Sequence, residues 1–177
     1  VNSFAAIVDD GIQSTVVSAD DIDLDAGGAI GGAGALDIDT RATTLDVATS
    51  AAGDIVITEV DGVTLDSVLS NAGDISVVAG GTMAATVVTA GTDGNITLRT
   101  TGVGDITIDA LDATADDVTI LSAGSVTALN VANATEITAD AIVIEAADGI
   151  GAAATVINTV ANQGRFLTTT ADGNIYV

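Results

Sequence analysis

The chain has 177 residues, nearly half of them apolar, and a formal net charge of −22 from 25 acidic residues against three arginines. Such a charge repels polyanions, which excludes the usual phosphate-backbone route to nucleic-acid binding. Because cysteine, histidine and lysine are absent, disulfides, thiolate sites and imidazole bases are excluded as well. Proline and tryptophan are also missing, and only three aromatic residues are present, so we expect a narrow aliphatic interior.

The first forty residues predict short strands separated by turns. An apolar segment at 4–8 ends at the turn-forming Asp9-Asp10-Gly11, and a strand through Thr15-Val16-Val17 follows. Residues 19–26 alternate Asp with apolar side chains, which predicts a strand with one buried and one acidic face. The glycine-rich stretch 27–34 then leads into another alternating segment.

A short unit, Gly followed by Asp or Asn and then by Ile, recurs along the chain. Its copies begin at Gly53, Gly73, Gly94, Gly104 and Gly173. Each copy predicts a turn that leads into a strand. The first three copies are 20 and 21 residues apart, and a period near 20 that contains several short strands is typical of a solenoid.

A longer repeat is superimposed on the short one. Residues 19–57 match residues 139–177 at a fixed offset of 120. Six coils of about 20 residues would make one such repeat, so we predict about nine coils and a rod of about 43 Å at the usual strand spacing. No shift in composition marks a linker, and we expect one continuous domain over 1–177 without evident caps.

A sandwich, a barrel or a solenoid could each be built from such strands. The near-constant period, the long repeat and a core of Ile, Val, Leu and Ala favour an all-β parallel β-helix with coils of about 20 residues. The longest uncharged runs, 75–92 and 118–135, are broken by small polar residues and alternate like strands, so no membrane span is predicted. The start at Val1, without an initiator Met, indicates a processed product or an excerpt.

The acidic residues are candidates for a calcium site, since Ca²⁺ takes six to eight oxygen ligands. The candidates are Asp20, Asp21, Asp23, Asp25, Asp37 and Asp39. Residues 31–37 come close to the nonapeptide of calcium-binding β-rolls, but Leu36 stands where Asp is needed and the motif does not recur in tandem. We therefore interpret these residues as a solvated acidic face and predict no metal site.

The remaining motifs have structural interpretations. Gly32 and Gly34 begin a dinucleotide-type pattern that lacks a third glycine and a following helix. Asn95 and Asn133 each begin a match to the glycosylation pattern, and the regular Thr-x-Thr columns of an ice-binding face are missing. Asp39 with Arg41 is the one close acid–arginine pair, so we predict no catalytic residue, no cofactor and no enzyme. We expect Arg41, Arg99 and Arg165 to neutralise nearby Asp.

The units at 53–57 and 104–108, together with residues 146–151, resemble the repeats of filamentous-haemagglutinin-like proteins. These are large secreted bacterial adhesins with shafts built as right-handed parallel β-helices. The resemblance implies a right-handed helix, an extracellular or cell-surface location, and a place in the shaft rather than the tip. The Asn-Pro motif of that family's secretion domain is absent, since the chain has no proline.

We therefore expect a structural extracellular β-solenoid, either a shaft section of a large adhesin or the head-to-tail stacking subunit of a surface filament. Its partner would be itself, because residues 4–8 and 175–177 do not resemble caps and open solenoid ends can propagate. The alternative is a β-helix that binds or cleaves cell-surface or matrix polysaccharide. Clustered aromatics, or a carboxylate pair with an arginine, would favour that alternative.

Overall fold

The computed structural model describes residues 1–130, 134–169 and 173–177, and within them it contains β-strands but no helix. All pairings between its strands are parallel. The strands are β1 (Asn2–Ser3), β2 (Val17–Ser18), β3 (Asp21–Ala26), β4 (Ile38–Arg41), β5 (Thr44–Thr49), β6 (Ile55–Glu59), β7 (Val63–Ser70), β8 (Ile75–Ala79), β9 (Met83–Ala90), β10 (Ile96–Thr100), β11 (Ile106–Ser122), β12 (Val126–Ala128), β13 (Ile137–Ala146), β14 (Thr159–Val160) and β15 (Gln163–Thr168). The predicted parallel β-solenoid is confirmed.

Each coil has three faces. Face A is formed by β4, β6, β8, β10, the end of β11, the end of β13, and β15. Faces B and C are the two halves of the longer strands, such as β7. In β7 the buried residues Leu65 and Val68 are separated by two residues rather than by one. The strand bends at these two residues, so its apolar side chains point inward both before and after the bend.

Aliphatic side chains stack in columns inside the solenoid. On face A the column contains Ile30, Ile55, Ile75, Ile96, Val118 and Ile142. Each of them is at most 1% exposed, because in-register parallel strands place equivalent residues directly above one another. No aromatic residue belongs to the fully buried core, and Phe166 packs against it only in part. The expected aliphatic interior is thus confirmed for the described residues.

The coils are longer and fewer than predicted. From Ile7 to Gly164, face A advances by seven pairing steps of 20 to 25 residues, which gives about seven turns of about 22 residues. The prediction of nine coils is therefore wrong, and the stack is about 34 Å long at the usual strand spacing. The longest step contains the loop between Ile30 and β4, which lengthens the coil without adding a rung.

The two copies of the 120-residue repeat lie on different faces. Ile22 pairs with Leu45 in a face B column, whereas its equivalent Ile142 pairs with Val118 on face A. The 120 residues between the two copies therefore make five full turns and then two of the three faces of a sixth turn. We had predicted six full turns. The short unit behaves likewise: Ile96 is on face A and Ile106 begins face B, which explains the half-spacing between Gly94 and Gly104.

No helix long and apolar enough to cross a membrane occurs among the described residues.

Candidate functional site

The Asp and Asn residues of the repeated unit form hydrogen bonds between coils. On face A the Oδ1 atom of Asp54 accepts the Asp74 N–H at 3.0 Å, and the Oδ1 atom of Asp74 accepts the Asn95 N–H at 2.8 Å. The Asn95 Nδ2 atom also donates to Asp74 Oδ1 at 3.0 Å, and Asn95 Oδ1 accepts the Asp117 N–H at 3.1 Å. We call Asp54, Asp74, Asn95 and Asp117 the Asx ladder. It links four successive coils, although no pattern in the sequence predicts these bonds.

The glycine of the unit is required by the closeness of stacked turns. A Cβ atom on Gly94 would lie 2.4 Å from the carbonyl oxygen of Gly73, and one on Gly104 would lie 2.1 Å from that of Gly81. Gly73 itself has φ of +129°, a conformation that L side chains rarely adopt. The Gly-Asp-Ile unit therefore stabilises the stacking of coils, because each of its three residues contacts the neighbouring coil.

Glu59 is a carboxylate buried at a corner of the solenoid, 1% exposed. Its Oε2 atom accepts the Thr40 hydroxyl at 2.7 Å and the Ala42 N–H at 3.0 Å, and its Oε1 atom accepts the Asp61 N–H at 3.3 Å. Burial raises the pKa of the Glu59 carboxyl, and the Asp61 side chain adds to this rise, whereas the other hydrogen bonds oppose it. Glu59 therefore links two coils by hydrogen bonds, although burial of its carboxylate disfavours the charged form.

Two more carboxylates are buried with one oxygen unpaired among the described residues. Glu136 accepts the N–H of Asn158 at 2.6 Å and its side-chain amide at 3.0 Å through Oε2, which leaves Oε1 without a partner. Asp39 is 4% exposed, and its Oδ2 atom has no partner. Burial raises the pKa of the Asp39 carboxyl, and the nearby carboxylates of Asp37, Asp9 and Asp10 raise it further.

The six aspartates considered for calcium do not converge. Asp21, Asp23 and Asp25 lie on the outer side of β3 and are exposed, as is Asp20. Asp37, by contrast, is buried near β4, where it accepts bonds from the Gln13 side-chain amide at 2.9 Å and from the Thr58 hydroxyl. Across the described parts of the chain, no group of three or more acidic side chains is arranged to hold a metal ion.

Aspartates crowd one another on the outer surface beside β3. Asp23 pairs with Asp46 across β3 and β5. Burial raises the pKa of the Asp46 carboxyl, and the carboxylates of Asp66, Asp23 and Asp21 add to the rise. The outer side of β3 and β5 is thus an acidic surface on which like charges repel.

The arginines do not neutralise aspartates in the way we predicted. Arg165 forms an ion pair, but its partner is Glu145 on β13 rather than an aspartate. Within the described residues Arg41 and Arg99 have no carboxylate within salt-bridge distance. Arg41 is exposed whereas Asp39 is buried, so the one acid–arginine pair that is close in sequence does not form an ion pair.

The other sequence motifs lie in turns and ladders. Gly32 and Gly34 are in the loop between Ile30 and β4, and no helix follows them. Asn95 uses both side-chain atoms in the Asx ladder, which gives this match to the glycosylation pattern a structural explanation. Asn133 lies outside the described residues.

Both ends of the solenoid leave apolar side chains and strand edges uncovered. In the face B column of Ile106, Val126, Ile150 and Ile175, the first three residues are fully buried and Ile175 is 45% exposed. The strands β14 and β15 pair only with β13 among the described strands. At the other end β1 pairs only with β3 and β2 only with β4, and several large apolar side chains are exposed there: Val1, Phe4, Val8, Ile12 and Val17.

No protein-family model matches the chain, and neither the curated proteins nor the solved structures include one that is significantly similar to it.

Proposed function

We propose that this protein is a structural β-solenoid of the extracellular space or cell surface, whose coils are continued at both ends by further parallel strands. The continuation is either more repeats of a longer chain or the next subunit stacked head to tail. The observation that carries the proposal is the change in exposure along the face B column. Its residues go from fully buried at Ile106, Val126 and Ile150 to 45% exposed at Ile175, although Ile175 belongs to the same column.

A further coil would bury what the last coil leaves open. Full burial of an isoleucine contributes about 1.5–3 kcal/mol, so covering the exposed part of Ile175 contributes about 1 kcal/mol. The free edge of the six-residue strand β15 can also pair its backbone with an added strand. Because association of separate molecules costs about 4–15 kcal/mol, the whole end surface must act together, and covalent continuation of the chain avoids most of this cost.

The charge and composition of the chain support a passive structural role. The interior is aliphatic, the three aromatic residues do not form a cluster of buried side chains, and the carboxylates at Glu59 and Glu136 are engaged with backbone and side-chain groups of neighbouring coils. A net charge of −22 opposes non-specific association of neighbouring shafts in solution. The resemblance of the Gly-Asp-Ile units to adhesin shaft repeats supports the extracellular assignment.

Hydrogen exchange and sedimentation test the proposal together. In the isolated protein, we expect amides of β14 and β15 to exchange much faster than those of the central β8 and β10. In sedimentation velocity, we expect larger species to grow with concentration and to appear as lengthened rods by negative-stain microscopy. A monomer at every concentration whose terminal strands are as protected as β8 would contradict the proposal, since its ends would already be closed.

A variant with a charge introduced at the exposed end, compared with a control variant elsewhere, tests the stacking directly. Ile175→Lys places an ammonium group where the next coil would bury it, which is unfavourable without a partner, and should abolish the lengthened rods seen by negative-stain microscopy. Val103→Lys is the control, because Val103 is 90% exposed on a loop away from the ends and should leave growth unchanged.

A further inference from the structure

From β6 to β15, the outer surface of face A differs in charge from the rest of the molecule. The six stacked strands each present two outward side chains, which alternate with buried side chains in every strand except β15. Strand β4, which carries the buried Asp39, lies beyond this surface at the edge of face A. None of these twelve side chains is an aspartate, although the chain has 22 of them. Their charged members are Arg99, Glu145 and Arg165, so the surface carries a net charge of +1 on a protein of charge −22.

Five aliphatic side chains fill much of the same surface, and the rest are Thr or Ser. The five are Val56, Val78, Leu121, Val143 and Leu167, all at least partly exposed. The Asx ladder borders this surface along one edge, and the crowded aspartates beside β3 lie elsewhere on the solenoid. Face A is therefore the side on which two copies of this acidic protein can approach with the least repulsion.

One column of this surface is self-complementary. Along successive strands the pairing stacks Val78, Arg99, Leu121, Glu145 and Leu167 in this order. Leu121 is at the centre, with a positive charge one strand before it, a negative charge one strand after it, and an aliphatic side chain beyond each charge.

A two-fold axis through Leu121, parallel to the strands, would make two such columns match. Leu121 would then pack on Leu121 of a second copy, and Val78 would meet Leu167. Arg99 would face the second copy's Glu145 and the reverse, and each Glu145 would be shared between this contact and its ion pair with Arg165 of the same copy. We propose that face A is the interface of an isologous dimer with this arrangement, in which each residue contact occurs twice. The proposal is independent of end stacking, because it uses the side of the solenoid and produces a closed pair rather than an open series.

The size of the surface predicts a weak and reversible dimer. Six strands at about 4.8 Å and five residues at about 3.3 Å give about 475 Å² per copy. About 950 Å² in total is below the roughly 1,200–2,000 Å² of stable complexes. Complementary charges and the absence of aspartate then serve mainly to select the partner and the orientation.

Sedimentation equilibrium with charge-reversal variants tests the dimer. We expect Arg99→Glu and Glu145→Arg each to weaken dimerisation by about tenfold or more, because each places like charges opposite one another twice. The double variant Arg99→Glu/Glu145→Arg should restore the wild-type dissociation constant to within about threefold, since the charges again face opposite charges. Arg41→Glu is the matched control, because Arg41 ends β4, outside the column, and should have no effect.

A second variant is needed because Glu145→Arg also removes the ion pair with Arg165 and places two arginines side by side. Leu121→Asp places two carboxylates together at the axis and should abolish the dimer while leaving the circular dichroism spectrum unchanged. A wild-type protein that remains monomeric up to about 1 mM, a concentration at which even weak pairs with millimolar Kd form, would overturn the proposal. So would single variants that dimerise like the wild type, or a double variant no better than either single one.

Discussion

Replacement of Asp74 in the middle of the Asx ladder separates the role of its oxygen from the role of its charge. Asp74 Oδ1 accepts two hydrogen bonds from Asn95, one from the backbone at 2.8 Å and one from the side chain at 3.0 Å. Asp74→Ala removes both. Asp74→Asn keeps a side-chain oxygen at the same place and removes only the negative charge.

The expected magnitudes follow from these contacts. A net hydrogen bond contributes about 0.5–1.5 kcal/mol, and the exposure of Asp74 lets water replace part of what is lost. We therefore expect Asp74→Ala to lower the free energy of unfolding by about 1–2 kcal/mol. Asp74→Asn loses charge assistance but also relieves repulsion from Asp54, which is about 0.9 kcal/mol for charges one strand apart in water. Its free energy of unfolding should stay within about 0.5 kcal/mol of the wild type.

Urea denaturation followed by circular dichroism at moderate salt measures both changes. Asp20→Ala is the control, since it removes an exposed carboxylate that makes no side-chain hydrogen bond in the described structure. Equal destabilisation by Asp74→Ala and Asp74→Asn would show that the charge, not the oxygen, is what matters. An unaffected Asp74→Ala protein would refute the ladder as a source of stability.

Three further predictions concern the core, a buried acid and the surface charge. Ile96→Ala, in the middle of a fully buried column, should lower the free energy of unfolding by about 2–5 kcal/mol in urea, whereas Val103→Ala on an exposed loop should change it by less than about 0.5 kcal/mol. The folded-state pKa of Glu59 is raised above its ordinary 4.5, so the native state binds this proton more tightly and gains stability as pH falls through the interval between the two values. Glu59→Gln should lack that gain, and an unchanged slope of unfolding free energy against pH would contradict the assignment. The melting temperature should rise from low to moderate NaCl as crowded aspartates such as Asp46 are screened, and a flat or falling trend would contradict the account of repulsion.

The exposure of the aspartates could be predicted from the sequence for some positions and not for others. Strict alternation placed Asp21, Asp23 and Asp25 correctly on the outer side of one strand, because side-chain direction in a strand has a period of two. Asp37 and Asp39 follow the same alternation, yet they are buried. The N-terminal residues, including Gln13, cover that part of β4, and contacts between residues over twenty positions apart are not visible in a local pattern.

The assignment of faces required the structure for a similar reason. The repeated Gly-Asp-Ile unit predicts a turn and a strand, but the same unit begins face A at Ile96 and face B at Ile106. Where a coil turns its corner depends on how many residues separate consecutive inward side chains, as between Leu65 and Val68. The sequence therefore cannot distinguish a 120-residue repeat of five turns and two further faces from one of six shorter turns.

The class of fold and its interior can be predicted from the amino-acid order alone: short strands, glycine turns, repeated units and an aliphatic core follow from periodicity and residue volume, which are local properties. Which residues meet one another across coils becomes visible only in the folded protein. The hydrogen bond from Asn95 to Asp74, the burial of Glu59 and the order of Arg99, Leu121 and Glu145 along face A all depend on the register between strands. That register is fixed by the stacking of whole coils, because each strand is stabilised only when its neighbours are in place.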